Sequence, residues 1–252
     1  MTSRRALVTG ASTGIGAATV RSLVADGWSV LATARRGDRL AALAAETGCD
    51  YVAADLMRPE DVDALVSEAA ANELNAVVHV AGGALGVDRV DDADLGRWRR
   101  MYEINVLMTL ELTRRCLPLL RSTGGGDLVF VTSTAAHGTY PGGAGYVAAK
   151  HAERQIATTL RLELGGEPIR VIEIAPGMVK TEEFSLNRLG SADAAEDVYA
   201  GVEAPLVADD VAEGIRWALA APAHMNVDLM VLRPVAQSSN TAVARQPLKV
   251  RE

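Results

Sequence analysis

Cysteine is scarce in this sequence: Cys49 and Cys116 are the two in 252 residues, and they lie far apart in the chain. Their separation fits neither a metal-binding nor a redox motif, so we expect two isolated thiols rather than a disulfide. Free thiols are typical of a reducing compartment. The four histidines also show no spacing typical of zinc ligands. The sequence therefore predicts no metal site.

Long apolar runs and blocks of like charge are also missing. No hydrophobic stretch approaches the ~20 residues that a membrane-spanning helix needs, and the apolar run at residues 6–8 is too short for a signal-peptide core. The formal net charge is −7, and no run of basic residues marks a nucleic-acid arm or an anionic-membrane patch. We therefore expect a cytoplasmic protein that binds neither nucleic acid nor membranes.

The apolar residues that are present form short runs. Hydrophobic residues make up 49% of the chain and charged residues 23%, close to the averages of globular domains. β-Rich runs alternate with segments of helical period, which indicates repeated βαβ units. The predicted fold class is α/β: a Rossmann-type, doubly wound, seven-stranded parallel sheet flanked by helices on both faces.

The runs and periods also predict element positions. The apolar runs near 76–80 and 128–132 are almost continuous, as expected for strands covered by helices on both faces. Asp38 is expected to cap the second helix. Strands are predicted at 6–9, 29–34, 50–53, 76–80, 128–132, 170–175 and 228–232, and helices near 14–25, 39–46, 59–71, 98–120, 145–164 and 209–221.

A glycine-rich segment, Thr-Gly-Ala-Ser-Thr-Gly-Ile-Gly at 9–16, follows the first predicted strand and leads into a helix. Glycines at such a junction let backbone N–H groups approach a pyrophosphate, and the helix N-terminus adds partial positive charge. The spacing differs from the general dinucleotide fingerprint, so a turn needed only for packing stays an alternative. The predicted cofactor contacts are Gly10, Ser12, Thr13, Gly14, Ile15 and Gly16.

Two arginines, Arg35 and Arg36, stand at the end of the second predicted strand, where an NAD-specific site would carry an acid for the adenosine ribose. A guanidinium can hold the 2′-phosphate of NADP through charge-assisted hydrogen bonds, whereas a carboxylate would repel it. The sequence therefore favours NADP(H), with solvated loop charges as the alternative.

Ser133, Tyr146 and Lys150 form the third group of candidate residues. On a helix, positions i and i+4 share a face, so the Lys150 ammonium can lie beside the Tyr146 phenol. A neighbouring cation stabilises phenolate and lowers its pKa from ~10 toward the range where it can exchange protons. Tyr-x-x-x-Lys alone is a weak signal, but here it follows a strand end that faces the expected crevice.

Together these motifs resemble the short-chain dehydrogenase/reductase family, in its shorter single-domain branch. The resemblance covers nearly the whole chain, and its motifs come in the expected order. It rests on Thr9-Gly10-x3-Gly14-Ile15-Gly16, Asp55, Asn105, Ser133, Tyr146, Lys150 and Pro176-Gly177.

The resemblance implies a role for each residue. Tyr146 would be the general acid/base, Lys150 would lower its pKa and hold the nicotinamide ribose, and Ser133 would polarise the substrate oxygen. Asn105 would support a water-mediated proton relay. Further cofactor contacts are implied at Asp55, which would lie against the adenine, and at Leu56, Ala81, Gly82, Pro176, Gly177, Val179 and Thr181, with Tyr146 and Lys150 contacting the cofactor as well.

One segment departs from the family pattern. Where the family has Asn-Asn-Ala-Gly after the fourth strand, this chain has His79-Val80-Ala81-Gly82. The glycine turn remains, but the two asparagine side chains are absent. We interpret His79 as structural, because no catalytic partner for it is visible in the sequence.

The family resemblance also predicts the domain organisation. One catalytic domain is expected over 1–237, with a substrate lid at about 177–208 that excludes water on closure. The residues 238–252 form a polar tail without a clear period, either loose or an arm on a partner subunit. Family members commonly form tetramers or dimers, so a homo-oligomer is expected.

The lid and the segments after it are similar to the branch acting on 3-hydroxy acids, serine-like substrates and small aldehydes or ketones. Lys180, Arg188 or Arg233 could hold a substrate carboxylate, or could be solvated surface charges. A 3-oxoacyl-carrier-protein reductase-like enzyme and an inactive nucleotide-binding sensor stay alternatives. A nucleotide-sugar epimerase is disfavoured, because 252 residues leave no room for its added domain.

Overall fold

The computed structural model describes residues 4–248. The strands of the main sheet are β1 Arg5–Thr9, β2 Ser29–Ala34, β3 Asp50–Ala53, β4 Ala76–His79, β5 Gly126–Val131, β6 Ile169–Pro176 and β9 Met230–Leu232, and a separate parallel pair is formed by β7 Val179–Lys180 and β8 Leu206–Val207. The seven strands of the main sheet are parallel and lie in the order β3-β2-β1-β4-β5-β6-β9, with the switch in direction between β1 and β4. This topology confirms the predicted doubly wound sheet.

Helices cover both faces of the sheet, because side chains along each strand alternate between two buried layers. The helices are α1 Gly14–Ala25, α2 Gly37–Thr47, α3 Pro59–Ala70, α4 Leu95–Tyr102, α5 Met108–Ser122, α6 Ala144–Glu163, α7 Phe184–Leu189, α8 Ala192–Asp197 and α9 Ala208–Ala220. In β1, Val8 belongs to the layer with α1 and α9, and Leu7 belongs to the layer with α3, α5 and α6.

Several predicted boundaries differ from those in the structure. The helix predicted over 98–120 is present, but it begins earlier, at Leu95, and a π-helical turn at Glu103–Leu107 divides it into α4 and α5. A π-helical turn, with i→i+5 hydrogen bonds, holds about one residue more than an α-helical turn. It needs no change in residue types, so the 3.6-residue hydrophobic period does not reveal it. Asp38 is not the cap of α2. Arg36 occupies the cap position and Asp38 lies in the first turn, where its charge still suits the helix dipole.

The cysteines, the helix lengths and the possible metal ligands also bear on the expectations from the sequence. Cys49 and Cys116 are both free, as predicted, and both are buried. Between residues 4 and 248, no helix combines the length and the hydropathy needed to cross a bilayer. The same residues contain no cluster of side chains that could hold a metal ion.

The chain after β9 folds back on the lid as far as it is described. Gln237 and Val243 form an antiparallel bridge, and the Arg245 guanidinium donates to the carbonyls of Ala200 and, at 3.1 Å, of Val198. Residues 249–252 of the predicted tail, and residues 1–3 of the predicted domain, lie outside the described residues. The division of the chain at residue 237 stays a prediction.

Candidate active site

A cavity of about 850 Å³ lies where the carboxyl ends of β1, β4, β5 and β6 meet. Open α/β sheets bind ligands in this crevice. Every residue predicted to contact the cofactor lines the cavity, and so do Ser133, Tyr146 and Lys150. Asn105 is fully buried and does not line it.

The glycine-rich turn after β1 packs tightly against its neighbours. Gly10 and Gly14 have φ of +65° and +51°, which side chains rarely adopt. A Cβ at Gly16 would lie 2.3 Å from the Gly10 carbonyl oxygen, and one at Gly10 would lie 3.0 Å from the backbone of Ala81. The turn can therefore bring backbone N–H groups and the start of α1 close to an anionic ligand such as a pyrophosphate.

Asn105 holds the turn after β4 rather than facing the cavity. Its Nδ2 donates to the carbonyls of Met101 at 2.7 Å and Gly83 at 2.9 Å, and its Oδ1 accepts from the Gly83 N–H at 3.1 Å. The π-helical turn places the amide there. The geometry shows a structural clasp, and the proton-relay role of Asn105 stays a prediction.

His79 lies in the core and not in the crevice. Its ring stacks on Phe130 with centroids 5.0 Å apart, and its Nε2 is 3.0 Å from Thr113 Oγ1. The Thr113 hydroxyl already donates to the Thr109 carbonyl, so His79 Nε2 is the donor. Burial lowers the pKa of His79 to about 3, so the ring is neutral at physiological pH. These contacts agree with a structural role.

The two arginines after β2 have different surroundings. Arg35 is exposed and forms no ion pair within residues 4–248. The Arg36 guanidinium donates to Ser12 Oγ at 2.9 Å and forms a two-pronged ion pair with Glu183. Asp55, at the same end of the cavity, accepts from the Met57 N–H at 3.1 Å, so its carboxylate also stabilises a turn.

Two adjacent lid glutamates join the lid to the adenosine end of the cavity. Glu183 contacts Arg36, and Glu182 accepts from both outer nitrogens of Arg39 at 2.9 and 3.0 Å and from Thr13 Oγ1 at 3.2 Å. These glutamates were not identified from the sequence. No local signal pairs them with the arginines, because the pairing depends on where the lid lies in the fold.

Ser133, Tyr146 and Lys150 meet at the other end of the cavity. Ser133 begins a short 3₁₀ turn after β5, its hydroxyl donates to the Pro176 carbonyl at 3.4 Å, and it is near enough to the Tyr146 phenol to lower the pKa of that group. Tyr146 and Lys150 are one turn apart on α6, and the Lys150 Nζ lies 5.9 Å from the centroid of the Tyr146 ring. The predicted trio is therefore brought together.

The pKa of Tyr146 differs from the prediction. Burial raises it above its ordinary value, and the charge of Lys150 and the Ser133 hydroxyl lower it without offsetting burial. The cation therefore acts in the predicted direction, but burial outweighs it, so the expected net lowering of the Tyr146 pKa is wrong. The desolvation that opposes phenolate follows from packing, which the spacing of two residues does not reveal.

A further residue beside Lys150 was missed. Lys150 Nζ donates to Glu153 Oε2 at 2.6 Å and to the Val131 carbonyl at 3.2 Å. Glu153 follows Lys150 by three positions on α6, a spacing that places side chains on one face. This spacing could have identified Glu153 in the sequence.

The lid contributes an aromatic side chain and a cation to the cavity. The Phe184 ring meets the Tyr146 ring edge-on, with centroids 5.7 Å apart. The Arg188 guanidinium lies 5.3 Å from the Tyr140 ring centroid, and its Nε donates to the Gly86 carbonyl at 3.3 Å. The cavity therefore has an arginine within electrostatic range of the Tyr146 phenol.

Known proteins resemble this chain over most of its length. A family model described as short chain dehydrogenase matches residues 4–189. An uncharacterized oxidoreductase of Mycobacterium tuberculosis is 49% identical over 247 residues, which are 98% of this chain and 97% of that protein. The serine 3-dehydrogenase of Agrobacterium fabrum is 38% identical over 239 residues, which are 92% of this chain and 94% of that protein.

A solved structure also resembles this chain over nearly its whole length. The closed form of serine dehydrogenase complexed with NADP+ has a TM-score of 0.89 and 32% identity to this chain. The superposition covers 98% of this chain and 99% of that one.

Proposed function

The chain belongs to the short-chain dehydrogenase family, and on that premise we propose that it interconverts an alcohol and a carbonyl by hydride transfer with NADP(H). The observation that carries the proposal is the meeting of Ser133, Tyr146 and Lys150 in the cavity that also contains the glycine-rich turn. The proposed substrate is a small 3-hydroxy acid, a serine-like compound or an aldehyde or ketone.

The residues fit a bound NADP(H). The turn after β1 can take the pyrophosphate, and the end of β2 offers arginines where an acid would repel a 2′-phosphate. Bound NADPH would supply the hydride, while the protein positions the substrate and handles the proton.

In the direction of carbonyl reduction, Tyr146 donates its phenolic proton to the substrate oxygen as negative charge develops there. Ser133 donates a hydrogen bond that orients the same oxygen. The Lys150 ammonium then stabilises the phenolate that Tyr146 becomes. In alcohol oxidation the same groups act in reverse, and Tyr146 accepts the proton.

Arg188 supports the anionic part of the substrate class. Of the three cations considered for a substrate carboxylate, Lys180 pairs with Glu196 at 2.7 Å, and Arg233 is exposed and does not line the cavity. Arg188 does line the cavity, and within residues 4–248 it forms no ion pair. A short acid bound with its hydroxyl at Tyr146 could reach this guanidinium. Serine, the substrate named for a relative, is such a 3-hydroxy acid.

Replacing Arg188 with alanine is expected to raise the KM for a 3-hydroxy acid by roughly 10- to 100-fold, since a charge-assisted hydrogen bond contributes about 1.5–3 kcal/mol. The KM for a short neutral alcohol should change little. Steady-state kinetics on both substrates measures the difference, with the exposed Arg233→Ala as control. An equal loss on both substrates would contradict the assignment.

The activity itself is tested by a screen of NADPH-linked reduction and NADP+-linked oxidation. It should include 3-hydroxy acids, serine analogues, short aldehydes and 3-oxoacyl thioesters. Turnover confined to the thioesters would favour the carrier-protein reductase alternative, and binding of NADPH without turnover of any compound would favour a sensor.

The same premise supports a homo-oligomer, tetramer or dimer, located in the cytoplasm. Apolar side chains are exposed on two long helices, among them Leu110 on α5 and Leu162 on α6. Light scattering of the purified chain measures this state directly.

A further inference from the structure

A buried ion pair connects the proposed catalytic lysine to a second acid. Lys150 Nζ and Glu153 Oε2 are 2.6 Å apart, and the two side chains are 5% and 1% exposed. Removing a carboxylate from water is costly unless a cation compensates it. Here the compensating cation is a residue of the active site, so the pair affects more than packing.

The contacts of the ammonium fix its orientation. An ammonium has three N–H donors, and the protein uses two of them, for Glu153 Oε2 and for the Val131 carbonyl at 3.2 Å. The remaining donor is left for a ligand in the cavity that Lys150 lines. Without Glu153, the lysine stem would be held at its tip by a single neutral carbonyl.

Glu153 is the acid that pairs with Lys150, because the other buried acid nearby, Glu173, has other partners. Glu173 on β6 has partners of its own: it accepts from Thr132 Oγ1 at 2.7 Å, contacts His137 Nε2 at 2.8 Å and lies 3.9 Å from the Arg154 Nε. Glu153 has no such second cation among the described residues. On the other side, Tyr146 is faced by Lys150 and Glu153 from α6, Ser133 from the turn after β5, Tyr140 from the loop before α6 and Arg188 from α7.

We propose that Glu153 is a positioning residue for the reaction: through Lys150 it sets the orientation of the ammonium and the pH range in which Tyr146 exchanges its proton. The inference rests on the proposed function. It adds a residue, and a control of the pH range, that the family motif does not contain.

The direction of the effect follows from charge. The Glu153 carboxylate partly cancels the field of Lys150 at the phenol and so raises the pKa of Tyr146. The charge and the hydrogen bond of Glu153 also raise the pKa of Lys150. Burial raises the pKa of the Glu153 carboxyl to about 7, so its charge is present above neutral pH, where the phenol titrates. Removing that charge should lower the pKa of both Tyr146 and Lys150.

Replacing Glu153 with glutamine keeps the shape and removes the charge. In alcohol oxidation, both limbs of the pH profile of kcat/KM should move to lower pH in E153Q, the acid limb by about one unit. That shift means that a given fraction of maximal activity is reached at roughly tenfold higher proton concentration. The matched control is Glu163→Gln, at an exposed position of the same helix. A lower maximum with unmoved limbs would mean that Glu153 is merely structural, and would overturn the proposal.

A second measurement does not need turnover. The ultraviolet absorbance of tyrosinate, taken as the difference between the chain and its Tyr146→Phe variant, reports the titration of this phenol alone. Its midpoint should be lower in E153Q, and an unchanged midpoint would overturn the inference. If the wild-type chain turns over none of the screened compounds but the midpoint moves, the proposed function fails and the effect of Glu153 on Tyr146 stands.

Should E153Q fail to fold, Glu153→Asp replaces it. Aspartate keeps the charge but shortens the reach to the ammonium, so the limbs should stay close to those of the wild type while the KM for NADPH rises several-fold. An unchanged KM would contradict the positioning of Lys150.

Discussion

Tyr146→Phe is expected to abolish measurable turnover, with a loss in kcat of roughly 10²–10⁴-fold, the contribution of a positioned general acid or base. The phenyl ring keeps the edge-on contact with Phe184 and the packing on α6. It lacks the hydroxyl that would exchange the proton with the substrate oxygen. NADPH binding should stay within a few-fold, because the glycine-rich turn and the arginines are untouched.

Kinetics of carbonyl reduction and fluorescence titration with NADPH separate these two effects. The control is Tyr102→Phe, which removes a hydroxyl from an exposed tyrosine of α4 and should leave both quantities unchanged. Turnover close to that of the wild type in Tyr146→Phe would refute the role of the phenol.

Arg35→Ala is expected to weaken NADPH binding far more than NADH binding, because only NADPH carries the 2′-phosphate. Arg35 is exposed at the adenosine end and forms no ion pair among the described residues, so its guanidinium is available to the phosphate. Loss of charge-assisted hydrogen bonds worth about 1.5–3 kcal/mol corresponds to roughly 10- to 100-fold in the Kd for NADPH. The Kd for NADH should change less than about twofold.

Titration of both cofactors with the wild type, Arg35→Ala and Arg36→Ala measures the selectivity. The effect of Arg36→Ala should be smaller, because Glu183 already engages that guanidinium and a phosphate has to compete with it. The control is Arg21→Ala, which removes an exposed arginine of α1 that pairs with Glu46 of α2. Equal losses for NADPH and NADH in Arg35→Ala would show that this residue does not read the 2′-phosphate.

The sheet could be predicted from the sequence because its signals are local. The runs at 76–80 and 128–132 are apolar on both faces, as central parallel strands require, and they became β4 and β5. The glycine-rich turn was visible because a positive φ at Gly10 and Gly14 requires glycine. Tyr146 and Lys150 could be placed together because one helical turn separates them.

The remaining features depend on contacts between distant segments. Glu183 lies 147 positions from Arg36, and the sequence around either residue does not predict that the two form an ion pair. The net raising of the Tyr146 pKa comes from packing around the phenol. Asn105 was assigned to a relay because the family pattern supplied that role. Its hydrogen bonds to Gly83 and Met101 depend on the π-helical turn, which the residue types of this segment do not reveal.

That turn also constrains how this region can change in length. The turn at Glu103–Leu107 holds about one residue more than an α-helical turn, and this extra residue sets the rotation of α5 around its axis. As a consequence, Leu112, Cys116 and Leu120 point into the core. Deleting one residue there would restore an unbroken α-helix and rotate α5 by about 100° around its axis. The buried stripe would then face solvent, so evolutionary drift in this segment should proceed by exchange of side chains and not by loss or gain of single codons.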